Sequence, residues 1–145
     1  MTLEEFRTLV AQARKQHPVW FALDSDRPAT DAEITQAEWQ LRTALPQQYH
    51  SFVKEFGGGM FAFANVLSVQ TDSDWNIVGF NRRDELIGSG FVAVSDPQTG
   101  DRYGFKSEGE TCGCEVWVYD HDDREWTRTQ FNDLFEFLQR HALTQ

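Results

Sequence analysis

Side chains able to do chemistry concentrate at Asp120-His121-Asp122-Asp123, three carboxylates and an imidazole in one run. Such a group can bind a divalent cation and activate water. It also has the composition of a turn between two strands, since Asp favours turns. No second carboxylate–histidine group is placed by sequence to complete a site. Cys112 and Cys114, the only cysteines, form a Cys-Gly-Cys triplet. A disulfide between them would close a strained ring, and a zinc site needs about four Cys or His ligands. Two reduced cysteines at a loop or strand start are the simpler expectation, and they point to a reducing cytoplasm. Either thiol with His121 imitates a Cys–His nucleophile, but no oxyanion element or orienting group accompanies them. Gly57-Gly58-Gly59 lacks the lysine and following helix of a phosphate loop. No catalytic residue, cofactor or metal is therefore expected, and His17, His50 and His141 read as surface or helix-end residues.

The elements that would position these groups follow from spacing. Ile34, Glu38, Leu41 and Leu45 share one helical face, launched by a capping box of Thr30 and Glu33. Glu38 is the odd member. A carboxylate drawn toward a core must find partners, so a tethering hydrogen bond or ion pair to a neighbouring loop is expected. Leu45-Pro46 should break this helix, and Pro46 suits the start of the next. Tyr49, Phe52, Val53 and Phe56 form that second helix's apolar stripe, and Gly57 to Gly59 stop it with at least one positive φ.

Upstream, Thr2 and Glu5 cap a helix carrying Leu3, Phe6, Leu9, Val10 and Ala13, which should stop near His17-Pro18. Val19 to Leu23 reads equally as a short strand or an apolar connector. Downstream, Phe61 to Val69 is rich in strand formers. Asp72-Ser73-Asp74 offers N-cap chemistry for a short helix with Trp75, Val78 and Arg82 on one side. Phe91–Ser95 and Arg102–Phe105 flank a strong turn and should form a hairpin. Glu115 to Tyr119 is apolar on both faces, as expected of a central strand. His121 to Arg124 turns into a last strand, Glu125 to Arg128, and Phe131, Leu134, Phe135 and Leu138 mark a closing helix. Helices, then consecutive strands, then a helix predict an α+β domain with a mainly antiparallel sheet. At 145 residues, a single domain over 1–145 is expected.

Ile34, Glu38, Leu45-Pro46, Tyr49 and Gly57 to Gly59 together resemble the shared pattern of the SUKH superfamily. That superfamily groups bacterial toxin-immunity proteins with fungal regulators of cell-wall synthesis. The likeness continues through Phe91 to Phe105, Tyr119-Asp120-His121 and the closing helix, so it spans roughly Leu3 to Leu138. One departure is Trp39, where a small or polar residue is more usual. The resemblance implies a sheet with helices packed around it, and a non-enzymatic binding role. Immunity by occlusion of a toxin domain's active site is the first expectation. A regulatory scaffold or adaptor for an endogenous protein is the second, and a small metal-dependent hydrolase resting on Asp120 to Asp123 the third.

Charge sharpens the choice of partner. The net charge of −10 disfavours nucleic acid and anionic membranes, which need Lys and Arg. It suits a basic protein partner, such as a toxin domain. No apolar run approaches the ~20 residues needed to span a bilayer. The N-terminus carries Glu4 and Glu5 where a secretory signal needs base. Trp117 should pack in the core or on the sheet face, but Trp20, Trp39, Trp75 and Trp126 are hard to bury together, and exposed Trp favours interfaces. Asp72, Asp74, Trp75, Glu108, Glu110, Asp120 and Asp122 are the expected partner-binding residues, an aromatic anchor with acids on loops and strand ends.

Overall fold

A computed structural model describes residues 1–145. Its elements are α1 (Leu3–Gln16), a 3-10 turn (Pro18–Phe21), α2 (Asp31–Leu41), α3 (Gln47–Phe56), β1 (Gly59–Phe61), β2 (Ala64–Val66), α4 (Ile77–Arg83), β3 (Phe91–Ser95), β4 (Arg102–Glu108), β5 (Thr111–Cys112), β6 (Trp117–Asp120), β7 (Glu125–Arg128) and α5 (Leu134–His141). β1 and β2 form a hairpin of their own. The larger sheet runs β3-β4-β6-β7, with β5 paired to the end of β4. Every pairing between these strands is antiparallel, in keeping with an α+β domain. No helix is long and apolar enough to cross a membrane.

Local signals account for most boundaries. Thr2 Oγ1 accepts from Glu5 N–H at the start of α1, and Thr30 and Glu33 form a reciprocal capping box on α2. Phe6, Phe52, Phe61 and Phe135 meet at the centre of the core, with Phe6 and Phe135 stacked at 4.4 Å. The fully buried Tyr49 donates its hydroxyl to Leu67 O (2.7 Å), and burial pushes its phenol far above the usual range. Gly57, Gly58 and Gly59 all take positive φ. A Cβ on Gly57 would lie 1.9 Å from Asp26 O, so only glycine lets the 22–30 connector lie against this turn.

Several expectations need correction. α2 ends at Leu41, not Leu45, because Arg42 adopts φ 62° and its N–H closes on Glu38 O. Leu45 is buried from outside the helix, on a segment where Ala44 N–H bonds Glu110 O. Residues 18–21 form the 3-10 turn, so the strand alternative for Val19 to Leu23 fails. The 61–69 stretch is split by a turn at Ala62 (φ 50°) and Phe63. α4 begins at Ile77 with Asn76 as its cap, leaving Asp72, Asp74 and Trp75 in the preceding loop. β6 is interior in strand order, but its residues are all half-exposed. Only Val116, just before it, is fully buried.

Candidate functional site

Residues directly opposite in an antiparallel pair project from the same face. Arg102, Tyr119 and Trp126 are therefore one row across β4, β6 and β7, and Gly104, Trp117 and Arg128 are the next. Phe91 and Lys106 add a third pair between β3 and β4. The other face carries Val92, Tyr103 and Phe105 inward, where Tyr103 packs on Phe137 (4.8 Å) and His141 of α5. Burial lowers the His141 imidazole below its ordinary value. On the outer face, Phe91 stacks on Trp126 at 4.7 Å, meets Trp117 at 5.6 Å, and Trp126 also touches Tyr119. Two strands separate Phe91 from Trp126, so the sheet must curl around this face for the rings to meet. An irregularity in β3 between Ala93 and Ser95 adds to that bend. Lys106 Nζ lies 5.1 Å from the Trp117 ring centroid. The result is a half-exposed aromatic plate on a rigid sheet.

A cleft of about 370 Å³ opens beside the plate, lined by Asp84, Leu86, Gly100, Arg102, Tyr119, His121 and Trp126. Arg102 is fixed by Asp84 (2.7 Å) and Asp96 (3.2 Å), with its guanidinium 4.8 Å from the Phe80 ring centroid. Asp101, from the turn before β4, accepts from both the backbone N–H (3.0 Å) and Nδ1 (2.6 Å) of His121. His121 Nε2 faces Asp122 at 3.3 Å. These bonds raise the His121 imidazole above its ordinary value, Asp101 contributing most. The same contact lowers the Asp101 carboxyl. Asp120 Oδ1 accepts from the N–H groups of Asp122 and Asp123, the turn role its type suggests.

This arrangement ties the turn before β4 to the turn after β6. Asp101 takes up Nδ1 of His121, while Nε2 stands 3.3 Å from the exposed Asp122 carboxylate. Asp101, Asp120 and His121 have ligand atoms within 4.8 Å of one another and are the residues that could hold a cation. Cys112 is half-buried, with Sγ 3.6 Å from Thr43 Oγ1, and burial pushes its thiol up, opposite to what a nucleophile needs. Glu38 has the tether expected of it. Its Oε2 accepts from Leu45 N–H (2.5 Å) and pairs with His50 Nε2 (2.8 Å), so His50 is no isolated surface residue.

The seven expected partner-binding residues lie in three places. Asp120 and Asp122 border the cleft. Glu108 and Glu110 are exposed at the β4–β5 tip, at the other end of β4 from Arg102 and so roughly 20 Å from Asp120. Asp72 and Asp74 are exposed on the β2–α4 loop. Trp75 is half-buried between that loop and Gly59, and its backbone N–H donates to Ser73 Oγ. Sequence spacing alone does not bring Phe91, Trp117, Tyr119 and Trp126 together. The signal was there in part: Trp117 and Tyr119 alternate, and a hairpin register across the 121–124 turn brings Trp126 beside Tyr119.

The fold is an α+β scaffold with the outer face of its larger sheet half-exposed. Residues 31–138 match the SUKH_6 family, described as SMI1-KNR4 cell-wall. The chain belongs to this SUKH family. No curated protein matches it in sequence.

Proposed function

We propose that this protein is an immunity-type binding protein that neutralises a toxin domain by covering its active site, and that it transforms nothing itself. One observation carries the reading. The aromatic plate of Phe91, Trp117, Tyr119 and Trp126 adjoins two acidic turns, one ending in Asp101 and the other carrying Asp120, Asp122 and Asp123. Rigid aromatics supply contact area at little entropic cost, and the acids select a basic partner. A cleft that binds phosphate is lined by Lys and Arg, so an acidic face seated on it excludes substrate by position and by charge. Asp72, Asp74, Trp75, Glu108 and Glu110 lie outside this patch. Their proposed part is steering the partner in, with Trp75 holding its loop.

Purification from the native host, with co-purifying chains identified, tests the proposal. A partner toxic when expressed alone, captured by the native chain but lost with Trp126→Ala, is the expected result. Turnover of a small substrate that vanishes when one acid or thiol is replaced would overturn it. The cell-wall description of the matched family favours a second reading, a regulatory adaptor. A captured partner that is harmless alone and belongs to the host's own envelope machinery would select that reading.

A further inference from the structure

The larger sheet has two edges, and the chain treats them differently. At β3, the outward-facing groups of Ala93 are taken up by the buried Asn81 side chain. Asn81 Oδ1 accepts from Ala93 N–H (2.8 Å), and its Nδ2 donates to Ala93 O (3.0 Å). Leu67 N–H donates to Val94 O (2.8 Å), and the Asn65 amide meets both the N–H (2.9 Å) and the O (2.6 Å) of Asp96. β7 is the opposite edge and has no such cover. Thr129 N–H donates to Val116 O (3.0 Å), so along this register Val118–Thr127 and Asp120–Glu125 are the hydrogen-bonded pairs of β6 and β7. Trp126 and Arg128 therefore turn their N–H and C=O groups away from β6, and no other backbone or side-chain group meets them. Free donors and acceptors along a strand edge are a template for another strand.

Register and side chains together select that strand. Paired with its own copy across a two-fold axis, β7 can centre on Trp126, Thr127 or Arg128. The first choice sets Arg124 opposite the second copy's Arg128, and the third sets two Arg128 side chains opposite each other. Like charges directly opposite are destabilising. Centring on Thr127 instead sets Trp126 opposite the second copy's Arg128, and the reverse, with threonine opposite threonine on the axis. A guanidinium against an indole is attractive, and so is a threonine pair. Arg128 is exposed and held only by neutral acceptors, Asn132 Oδ1 (2.9 Å) and Thr129 O (3.4 Å). The same register is the one of the three in which the free N–H and C=O groups of Trp126 and Arg128 are all satisfied by β7 itself.

We propose that β7 pairs edge to edge with β7 of a second copy, centred on Thr127, in an isologous dimer that joins the two larger sheets. The added strand extends the sheet sideways and leaves the aromatic plate uncovered. So short a pairing buries less than the roughly 1,600 Å² of a standard interface, and the dimer is weak, forming in the micromolar range.

Sedimentation equilibrium of the full chain from about 1 µM to about 1 mM tests this. The mass should climb toward twice that of the monomer. Arg128→Pro removes an outward N–H without taking a bond from β6. It should weaken association at least tenfold while circular dichroism stays native. Thr127→Lys brings two ammonium groups together on the axis and should do the same. Register is read by cross-linking. Thr127 and its copy form a non-hydrogen-bonded pair with Cα atoms about 4.5 Å apart, within the span of a disulfide. With the exposed Cys114 replaced by serine, Thr127→Cys should form a covalent dimer in oxidised glutathione, and Glu125→Cys should not. A monomeric mass at every concentration would overturn the proposal. So would association that Arg128→Pro leaves intact, or cross-linking of Glu125→Cys as complete as that of Thr127→Cys. A foreign chain captured through this edge, with no self-association, would assign β7 to a different partner and refute the dimer. Thr127 projects from the face opposite the plate, so Thr127→Lys should still capture the toxin domain, and failure of the dimer is told apart from failure of the toxin-binding reading.

Discussion

Two acid–histidine pairs in this molecule have nearly the same geometry and different exposure to water. Glu38 meets His50 at 2.8 Å with side chains only 18% and 23% exposed. Asp101 meets His121 at 2.6 Å, with 33% and 48% exposed. The first lies where α2 hands over to α3, and its carboxylate also holds the Leu45 N–H. The second ties two surface turns at the open end of the sheet. Similar chemistry becomes a firmer staple where water is scarcer and an adjustable clasp where it is plentiful.

The largest test of that contrast is Glu38→Ala. It leaves the Leu45 N–H and His50 without their acceptor, and should cost about 2–3 kcal/mol in urea unfolding. Glu38→Gln should lose less, since an amide oxygen can still accept from Leu45. A Gln variant as stable as the native chain but unable to bind its partner would make Glu38 a functional residue and break the comparison. At the other end, Trp126→Ala should weaken partner binding by about 2 kcal/mol, roughly thirtyfold by titration calorimetry. The Glu38 region should be untouched. Equal affinity would remove the aromatic plate from the interface.

A pH series sharpens the contrast further. His121 is raised above its ordinary value of 6.5, so its stabilisation is complete below that value and fades as pH climbs through the raised one. Asp101 is lowered below 3.8, so its share is complete above that value and disappears only as pH falls through the lowered one. The clasp is therefore tightest in mildly acidic solution and loosens toward alkali. His121→Ala should flatten the alkaline arm of Tm against pH, and imidazole titration by NMR should report a raised midpoint. An unshifted midpoint would dissolve the clasp. The smallest effect is expected from Asp72→Lys with Asp74→Lys. Association should slow a few-fold at low salt and recover the native rate at high salt, where screening hides distant charges. No change in stopped-flow rate would exclude that loop from steering.

Much of the scaffold was legible beforehand. The caps at Thr2 and Thr30, the apolar stripe of α3, the glycine stop and the β3–β4 hairpin all rest on bonds or repeats within a few residues. Glu38 was legible too, because a charge among Ile34 and Leu41 can persist only with partners. The misreadings involve longer reach. The end of α2 depends on Ala44 joining a strand near Glu110, and Trp75 stays out of α4 because Ser73 is drawn to Asp26. His50 looked solitary because its partner lies twelve residues away on another helix.

The sequence by itself determined the α+β class, the family likeness, the acidity and the absence of a recognisable catalytic motif. Helical and strand periodicities, caps and net charge are properties of neighbouring residues or of their sum. Only the tertiary structure decided that Phe91 meets Trp126, that Asp101 holds His121, and that Asn81 closes one edge of the sheet while β7 leaves the other open. Those contacts depend on how a sheet curls and where turns land, and side-chain packing across distant segments sets both.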